Sequence, residues 1–370
     1  MTNRSLAEWL AYLERLHPTA IDMGLDRVRE VACRLGLGRP APCVITVTGT
    51  NGKGSTCAFL AELLLAQNLR VGVYASPHLL HYNERVVINR QQAGDADLCD
   101  AFCAIETLRG EISLTYFEMG TLAAFWLFER AALDVVVLEV GLGGRLDAVN
   151  LVDADVALVT SIGLDHMEWL GNTCESVAIE KAGIFRAGVP VVCGDLEPPV
   201  ALFERASELR APFYLRGKDF DVAIGDRCWH WRGLDKFGNE RQLHNLPLLD
   251  LPLENAAQAL QAYSLLDLPW QSAQLSQALS RTFLSGRLER WEIVYQGKAL
   301  TLLLDVGHNP HAAEYLARRL VERPVAGRRL AVFGLLADKD LPGVLCALQD
   351  DVQDWAVTTL PTARARPAAE

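Results

Sequence analysis

The sequence predicts an α/β protein of two domains, each built on parallel strands that alternate with helices. Three observations carry this prediction. The chain has 370 residues, more than one hydrophobic core usually serves. Short apolar runs recur at residues 43–47 (CVITV), 71–74 (VGVY), 134–140 (DVVVLEV), 156–161 (VALVTS) and 189–194 (VPVVCG), with stretches of helical length between most of them. Half of the residues are hydrophobic, enough to bury a sheet with helices on both faces.

The elements follow in order. Residues 5–16 read as an amphipathic helix, and a second helical stretch ends near Leu35 at the breaker run GLGRPAP. After the strand and helix alternation, residues 215–245 are polar, with tryptophans and turn residues, and read as a meander of short strands over the surface. Residues 253–266 read as a helix. The stretch SGRLERWEIVYQG then changes the rhythm and sets a domain boundary near residue 285, giving domains 1–284 and 285–370. Beyond it, strands are expected in ALTLLLDVGHNP, RRLAVFGLL and DWAVTTL, with one helix reaching Arg323 and another near 341–350. Three strands are few for a doubly wound domain, and PTARARPAAE forms no recognisable element. The second domain is therefore expected to be a small, truncated, Rossmann-like α/β domain.

Composition narrows the function. A formal charge of −11 argues against a general nucleic-acid binder, because phosphate backbones are held by basic surfaces. No stretch reaches the roughly 18 apolar residues of a membrane span, and the start MTNRSLAEWLAYLERL carries acids where a signal peptide has an apolar block. Nine scattered cysteines without a CxxC pair fit free thiols in a reducing compartment. Cys99 and Cys103 read as one helix face. A cytoplasmic protein without membrane or nucleic-acid partners is expected, working as a monomer.

The strongest local signal is the loop TGTNGKGST, residues 48–56. Gly49, Gly52 and Gly54 lie between a buried strand and a helix, so backbone amides at the helix start can face an anion without side chains in the way. Lys53 adds a positive charge, and Ser55 or Thr56 a hydroxyl for magnesium. The strict pattern GxxxxGK[ST] fails, because Gly54 separates Lys53 from Ser55 and residue 47 is valine. A P-loop-type domain that holds the phosphates of ATP is still the reading, since a plain glycine turn needs neither the lysine nor the hydroxyls.

Partners for such a site stand at strand ends. Glu139 closes the apolar run DVVVLE, where a carboxylate is costly unless it faces a crevice. Magnesium needs only one or two carboxylates. The stretch GLGGRLDAVN after Glu139 offers three glycines for an irregular loop. His166, beside Asp165 in TSIGLDHMEWLG, stands just past the next strand, at the edge where open α/β sheets bind ligands. Lys181, in IEKAGIF, reads by itself as a solvated helix lysine. In the second domain Arg287 follows a glycine, from where its guanidinium could fork onto a phosphate. Asp305, His308 and Asn309 sit at a glycine-containing turn that could equally be purely hydrogen-bonded.

Taken in order, VTGTNGKGST, YASPHLL, ISLTYFEMGTLAAFWLF, VLEVGLGGRLDAVN, TSIGLDHMEWLG, ESVAIEKAGIFR, ENAAQALQA, GRLE and LLLDVGHNPHAAEYL resemble the folylpolyglutamate and dihydrofolate synthases of the Mur ligase superfamily. The likeness runs from about residue 20 to about residue 340, and GTNGKGS is similar to the loop form of that family. It implies an ATP-dependent ligase that joins L-glutamate to dihydropteroate and extends tetrahydrofolates with further glutamates. It implies an ATP site at Thr50, Asn51, Gly52, Lys53, Gly54, Ser55, Asn255, Arg287 and Asp305, with His308 near the same cleft. Magnesium is implied at Ser55, Ser76, Glu139 and His166, and carbamylation at Lys181, which would overturn the solvated reading. With Lys53, Arg287 and His308, Lys181 is then a catalytic candidate. The pteroate is implied at Asp22, Met23, Gly24 and Leu25, at Thr115, Tyr116, Phe117 and Glu118, and at Leu146, Asp147 and Ala148. An aromatic ring at Phe117 suits stacking on a flat heterocycle, with core packing as its bland alternative. The family's second domain continues with further strands, so a weakly active or non-catalytic folate or nucleotide binder stands as one rival to the ligase; a P-loop ATPase or kinase that hands phosphate to water or an alcohol is the other.

Overall fold

The computed structural model describes residues 4–362 and 364–369. It divides into two compact units, Met1–Leu284 and Ser285–Glu370.

The first unit opens with α1 (Leu6–Leu16), capped by Ser5 and Glu8, and α2 (Asp26–Leu35), ended by Gly36 in the left-handed region. There follow β1 (Cys43–Thr48), α3 (Lys53–Leu65), β2 (Val71–Tyr74), β3 (Val86–Ile88), β4 (Gln91–Gln92), α4 (Asp95–Arg109), α5 (Tyr116–Arg130) and β5 (Val135–Glu139). Next come β6 (Val156–Val159), the short α6 (Met167–Leu170), α7 (Cys174–Lys181), β7 (Val191–Cys193), α8 (Val200–Glu208) and β8 (Phe213–Leu215). These strands form one eight-stranded sheet in the order β4-β3-β2-β5-β1-β6-β7-β8.

Both faces of the sheet are covered, which is why its central strands read as unbroken apolar runs. Ile45, Val47, Val135 and Val137 face one core with Phe59 and Leu60 of α3; Val44, Val136 and Leu138 face another with Trp9, Phe102 and Phe128. The expectation of a parallel sheet needs one correction, because β3 and β4 are antiparallel. They are joined by Asn89 and Arg90, both at positive φ, the conformation of a tight two-residue hairpin. Their short, partly polar strands carry no apolar run that would mark them.

The meander expected over 215–245 is a three-stranded antiparallel sheet of β9 (Asp221–Ile224), β10 (Cys228–Leu234) and β11 (Glu240–Pro247). One of its faces is core rather than surface. Trp229 and Trp231 are fully buried, and the Trp231 indole donates to the Ala257 carbonyl of α9 (Leu253–Ser264) at 3.1 Å. A helix not anticipated, α10 (Ser272–Arg281), buries Leu275, Ala278 and Leu279 at helical spacing.

The second unit contains β12 (Glu289–Tyr295), β13 (Lys298–Leu304), α11 (Pro310–Glu322), β14 (Leu330–Phe333), α12 (Leu341–Leu348) and β15 (Asp354–Val357). Its strands form two separate pairs instead of one sheet: β12 with β13 antiparallel, β14 with β15 parallel. A tight turn at Gln296 and Gly297, both at positive φ, dictates the first pair. All nine cysteines are free thiols, and no helix among the described residues is long and apolar enough to cross a membrane.

Leu60 lies fully buried between the sheet and α9. Leu60→Ala is expected to lower the stability of the first unit by about 3 kcal/mol, read from urea unfolding followed by tryptophan fluorescence.

Candidate active site

The site is built where β1 ends. Because β1 lies between β5 and β6, its following loop is flanked by the ends of both neighbours. On the β6 side the contact is tight: a Cβ at Gly49 would stand 1.8 Å from Thr160 Oγ1, and φ there is +149°. Only glycine fits. Thr160 Oγ1 donates to the Asn51 carbonyl at 2.6 Å, the Asn51 N–H donates to Ser161 Oγ at 3.1 Å, and the Thr50 N–H donates to the Ser161 carbonyl at 2.9 Å. Thr50 Oγ1 exchanges hydrogen bonds with Gly163, 3.0 Å each way. Gly52, at φ +85°, leaves room for Asn255 of α9, whose amide donates to Ser55 Oγ at 2.6 Å. Lys53 Nζ curls back to donate to the carbonyls of Gly49 at 2.9 Å and Thr50 at 3.2 Å.

On the β5 side stands Glu139, a carboxylate only 4% exposed. Its Oε2 accepts from the Ser76 N–H at 3.2 Å and lies 3.8 Å from where a Gly54 Cβ would be. Ser55, Ser76 and Glu139 are hard oxygen donors, the set a magnesium ion prefers. No group of three or more His, Cys, Asp or Glu among the described residues could hold a metal by itself. His166 stands at the start of α6 with φ +51°, its Nε2 4.0 Å from Asp165 Oδ2.

The loop after β5 carries a second buried carboxylate. Asp147 accepts from the N–H groups of Leu142 and Val149 at 2.9 Å each. Burial pushes its carboxyl up to about 6, against the pull of those donors, of Gly141 and of Lys53. A Cβ at Gly141 would be 2.7 Å from the Phe117 ring and 3.3 Å from Asp147 Oδ2, so ring and carboxylate share one wall. Ala148 is buried there and Leu146 half-buried. Phe117 also packs near Tyr74. Tyr116 instead lies edge-on to Tyr82, with the Arg85 guanidinium 5.5 Å from its ring centre.

Thr115 and Glu118 form a capping box at the start of α5: the Glu118 N–H donates to Thr115 Oγ1, and the Thr115 N–H to Glu118 Oε2 at 2.7 Å. Glu118 Oε1 accepts from Arg27 at 3.0 Å. Met23 reaches the loop after β5, its Cε 3.7 Å from where a Gly143 Cβ would be.

Lys181 is not solvated; it is 3% exposed. Burial brings its ammonium down to about 7, Lys53 adds repulsion, and Asp165 and Asp147 pull the other way. In the second unit, Asp305 accepts from the N–H groups of Leu288 at 2.9 Å and Gly307 at 2.7 Å, which ties the turn of half-buried Arg287 and buried Leu288 to the end of β13. His308 Nδ1 lies 3.0 Å from the Val306 carbonyl, and Asn309 caps α11. Thr160, Ser161 and Arg27 were missed by sequence reasoning. A signal existed for the first two, polar residues abruptly closing an apolar strand; none existed for Arg27.

Residues 47–193 match the Mur ligase middle domain and residues 289–370 the Mur ligase, glutamate ligase domain. The class is thus that of the Mur ligases. The chain is 48% identical over 365 residues to the dihydrofolate synthase/folylpolyglutamate synthase of Escherichia coli, covering 99% of this chain and 84% of that one. Against the Haemophilus influenzae protein of the same name it is 44% identical, covering 96% and 83%. Among solved structures it is similar to E. coli FolC in complex with DHPP and ADP, with a TM-score of 0.92, 47% identity and coverage of 99% and 86%. It is also similar to a bifunctional folylpolyglutamate synthase/dihydrofolate synthase with Mn, AMPPNP and L-glutamate bound, at TM-score 0.90, 48% identity and the same coverage. The chain belongs to the dihydrofolate synthase/folylpolyglutamate synthase family.

The Lys181 environment has a thermodynamic signature. In the folded chain the amine loses its proton near pH 7, whereas its ordinary value is 10.5. Between those limits unfolding takes up a proton, so stability rises with pH, by at most about 1.4 kcal/mol per unit. In CO2-free buffer Lys181→Met is expected to be more stable than the parent at pH 7 and to lose that advantage toward pH 10. A difference independent of pH in urea unfolding would contradict the assigned environment.

Proposed function

We propose that this chain uses ATP to form an amide between L-glutamate and dihydropteroate, and extends tetrahydrofolates in the same way. One observation carries the reading: the pinned glycine loop with Lys53 shares a sheet edge with the wall of Phe117 and Asp147. A site for phosphates and a site for a flat acid thus stand side by side.

A free carboxylate does not react with an amine at neutral pH, so it must first receive a leaving group. In the proposed sequence the pteroate carboxylate attacks the γ-phosphorus of ATP, the bond to the β,γ-bridging oxygen breaks, and ADP leaves. The glutamate amine then attacks the acyl carbon, losing a proton as phosphate departs. Lys53 exchanges its loop carbonyls for phosphate oxygens and spreads the developing charge. Asn255 orients Ser55, and Ser55, Ser76, Glu139 and His166 are the residues assigned to a divalent ion, for which magnesium is the candidate. Such an ion, when bound, neutralises phosphate charge. Phe117 and Asp147 receive the pterin and benzoate, and Arg287, Asp305 and His308 of the second unit are assigned to the nucleotide. Lys181, a buried amine that is half neutral near pH 7, has the free electron pair that carbamylation by CO2 requires. The carbamate would exchange a buried cation for an anion. A cytoplasmic location and a monomeric state belong to the same proposal; the nine free thiols suit a reducing compartment.

In an assay with ATP, magnesium, dihydropteroate and glutamate, ADP release is expected to require glutamate. Turnover indifferent to glutamate would sink the ligase in favour of an ATPase. Lys53→Ala and Glu139→Ala should each lower amide formation, followed by mass spectrometry, by about 100-fold or more without unfolding the protein.

Stripping CO2 from the buffer is expected to depress turnover and added bicarbonate to restore it. Unchanged turnover, with no carbamate seen at Lys181, would remove the modification from the scheme.

A further inference from the structure

Arg27 lies outside every set of residues so far assigned to substrate, yet its guanidinium joins two of them. Nη1 stands 2.7 Å from Asp22 Oδ2, and Nη2 stands 3.0 Å from Glu118 Oε1 while also donating to the Asp22 carbonyl at 3.2 Å. The contacts continue on the far side. His17 Nε2 is 3.2 Å from Asp22 Oδ2, and His17 Nδ1 is 2.9 Å from Ser113 Oγ. Glu118 is 4% exposed, and its other oxygen is already engaged by the Thr115 N–H.

Two segments meet here, joined by the Arg27 guanidinium at the first turn of α5 and by His17 at Ser113 just before it. Residues 17–25 have no helix or strand and carry the acceptor candidates Asp22, Met23, Gly24 and Leu25. The first turn of α5 carries Thr115, Phe117 and Glu118. A buried carboxylate is costly unless paired. The planar fork of arginine can hold two acceptors at a fixed angle, which the single ammonium of lysine cannot.

We propose that Arg27 is a positioning residue that clamps segment 17–25 to the start of α5 and so sets the width of the pteroate site. The proposal rests on the reading that the acceptor is a pteroate. Arg27 itself meets protein carboxylates, not substrate, and the phosphate loop makes no bond to it. Its removal therefore acts on the acceptor and spares the nucleotide.

Steady-state kinetics of Arg27→Ala and Arg27→Lys test this, beside Arg29→Ala, an exposed neighbour on the same helix that pairs with Asp26. The expected result is a rise of about tenfold or more in the dihydropteroate KM for Arg27→Ala and a smaller rise for Arg27→Lys. The ATP KM should stay within about twofold of the parent in both, and Arg29→Ala should match the parent throughout. Dihydropteroate binding in the presence of ADP, measured by equilibrium dialysis, should weaken in the same order. Equal rises in both KM values, or a dihydropteroate KM and Kd unchanged from the parent, would overturn the clamp. If Arg27→Ala does not fold, Arg27→Lys decides on the same criteria. A parent that neither turns over nor binds dihydropteroate refutes the proposed function and the clamp with it; an active parent with an unaffected Arg27 variant refutes the clamp alone.

Discussion

The structure turns on the contact between Gly49 and Thr160. A chain leaving β1 must pass so close to the end of β6 that no Cβ is tolerated. Once there, it is stitched down by Thr160 and Ser161 on one side and by Asn255, through Ser55, on the other. The consequence is a loop whose carbonyls are largely satisfied by protein, while the first amides of α3 remain the natural donors for an anion. The inserted Gly54 belongs to the same logic. A Cβ there would press on Leu284 at 3.3 Å and come into van der Waals contact with the Glu139 carboxylate at 3.8 Å.

A second constraint is the amount of charge held out of water. Glu139, Asp147 and Lys181 are all buried, at a cost that sequence composition alone would not justify. Their effects are interlocked. Burial raises Asp147 and lowers Lys181, so both are drawn toward neutrality; Asp147 favours the Lys181 ammonium, while Lys53 favours the carboxylate and opposes the ammonium. Under the proposed function, a phosphate at Lys53 would offset the one charge that acts on both.

The long apolar strands were legible in the sequence because both faces of the sheet are buried, so each strand is an unbroken run. The short edge strands β3 and β4 were not, since VVINRQQ offers three apolar residues and a turn whose two positive-φ positions are Asn89 and Arg90. Trp229 and Trp231 misled for the opposite reason: their polar neighbours face water, so the stretch read as surface although its other face is core. The glycine loop was legible from its own residues as a strand-to-helix turn without room for side chains, which Gly49 and Gly52 bear out. Lys181 was not legible by itself, because its burial comes from tertiary packing around a helix whose local pattern is polar. Arg27 was invisible, its partner Glu118 standing 91 residues away.

What joins the glycine loop after β1 to the wall of Phe117 and Asp147 is the loop after β5, and each of its glycines answers to a different neighbour. Gly141 lets the Phe117 ring approach Asp147. Gly143, at φ +65°, has Met23 beside it, and its carbonyl accepts from Thr48 Oγ1 at 2.6 Å, a bond from the last residue of β1. Gly144 lies against the carbonyls of Glu180 and Lys181 at the end of α7. A side chain at any of the three would push on a different part of the site. The loop therefore acts as one spacer, with β1, α5 and α7 as its walls, and the separation between the glycine loop and the Phe117 ring is set by backbone packing and not by flexible side chains. For a reaction in which an acyl phosphate must form in line and survive until an amine arrives, a fixed spacing of that kind is what the chemistry requires.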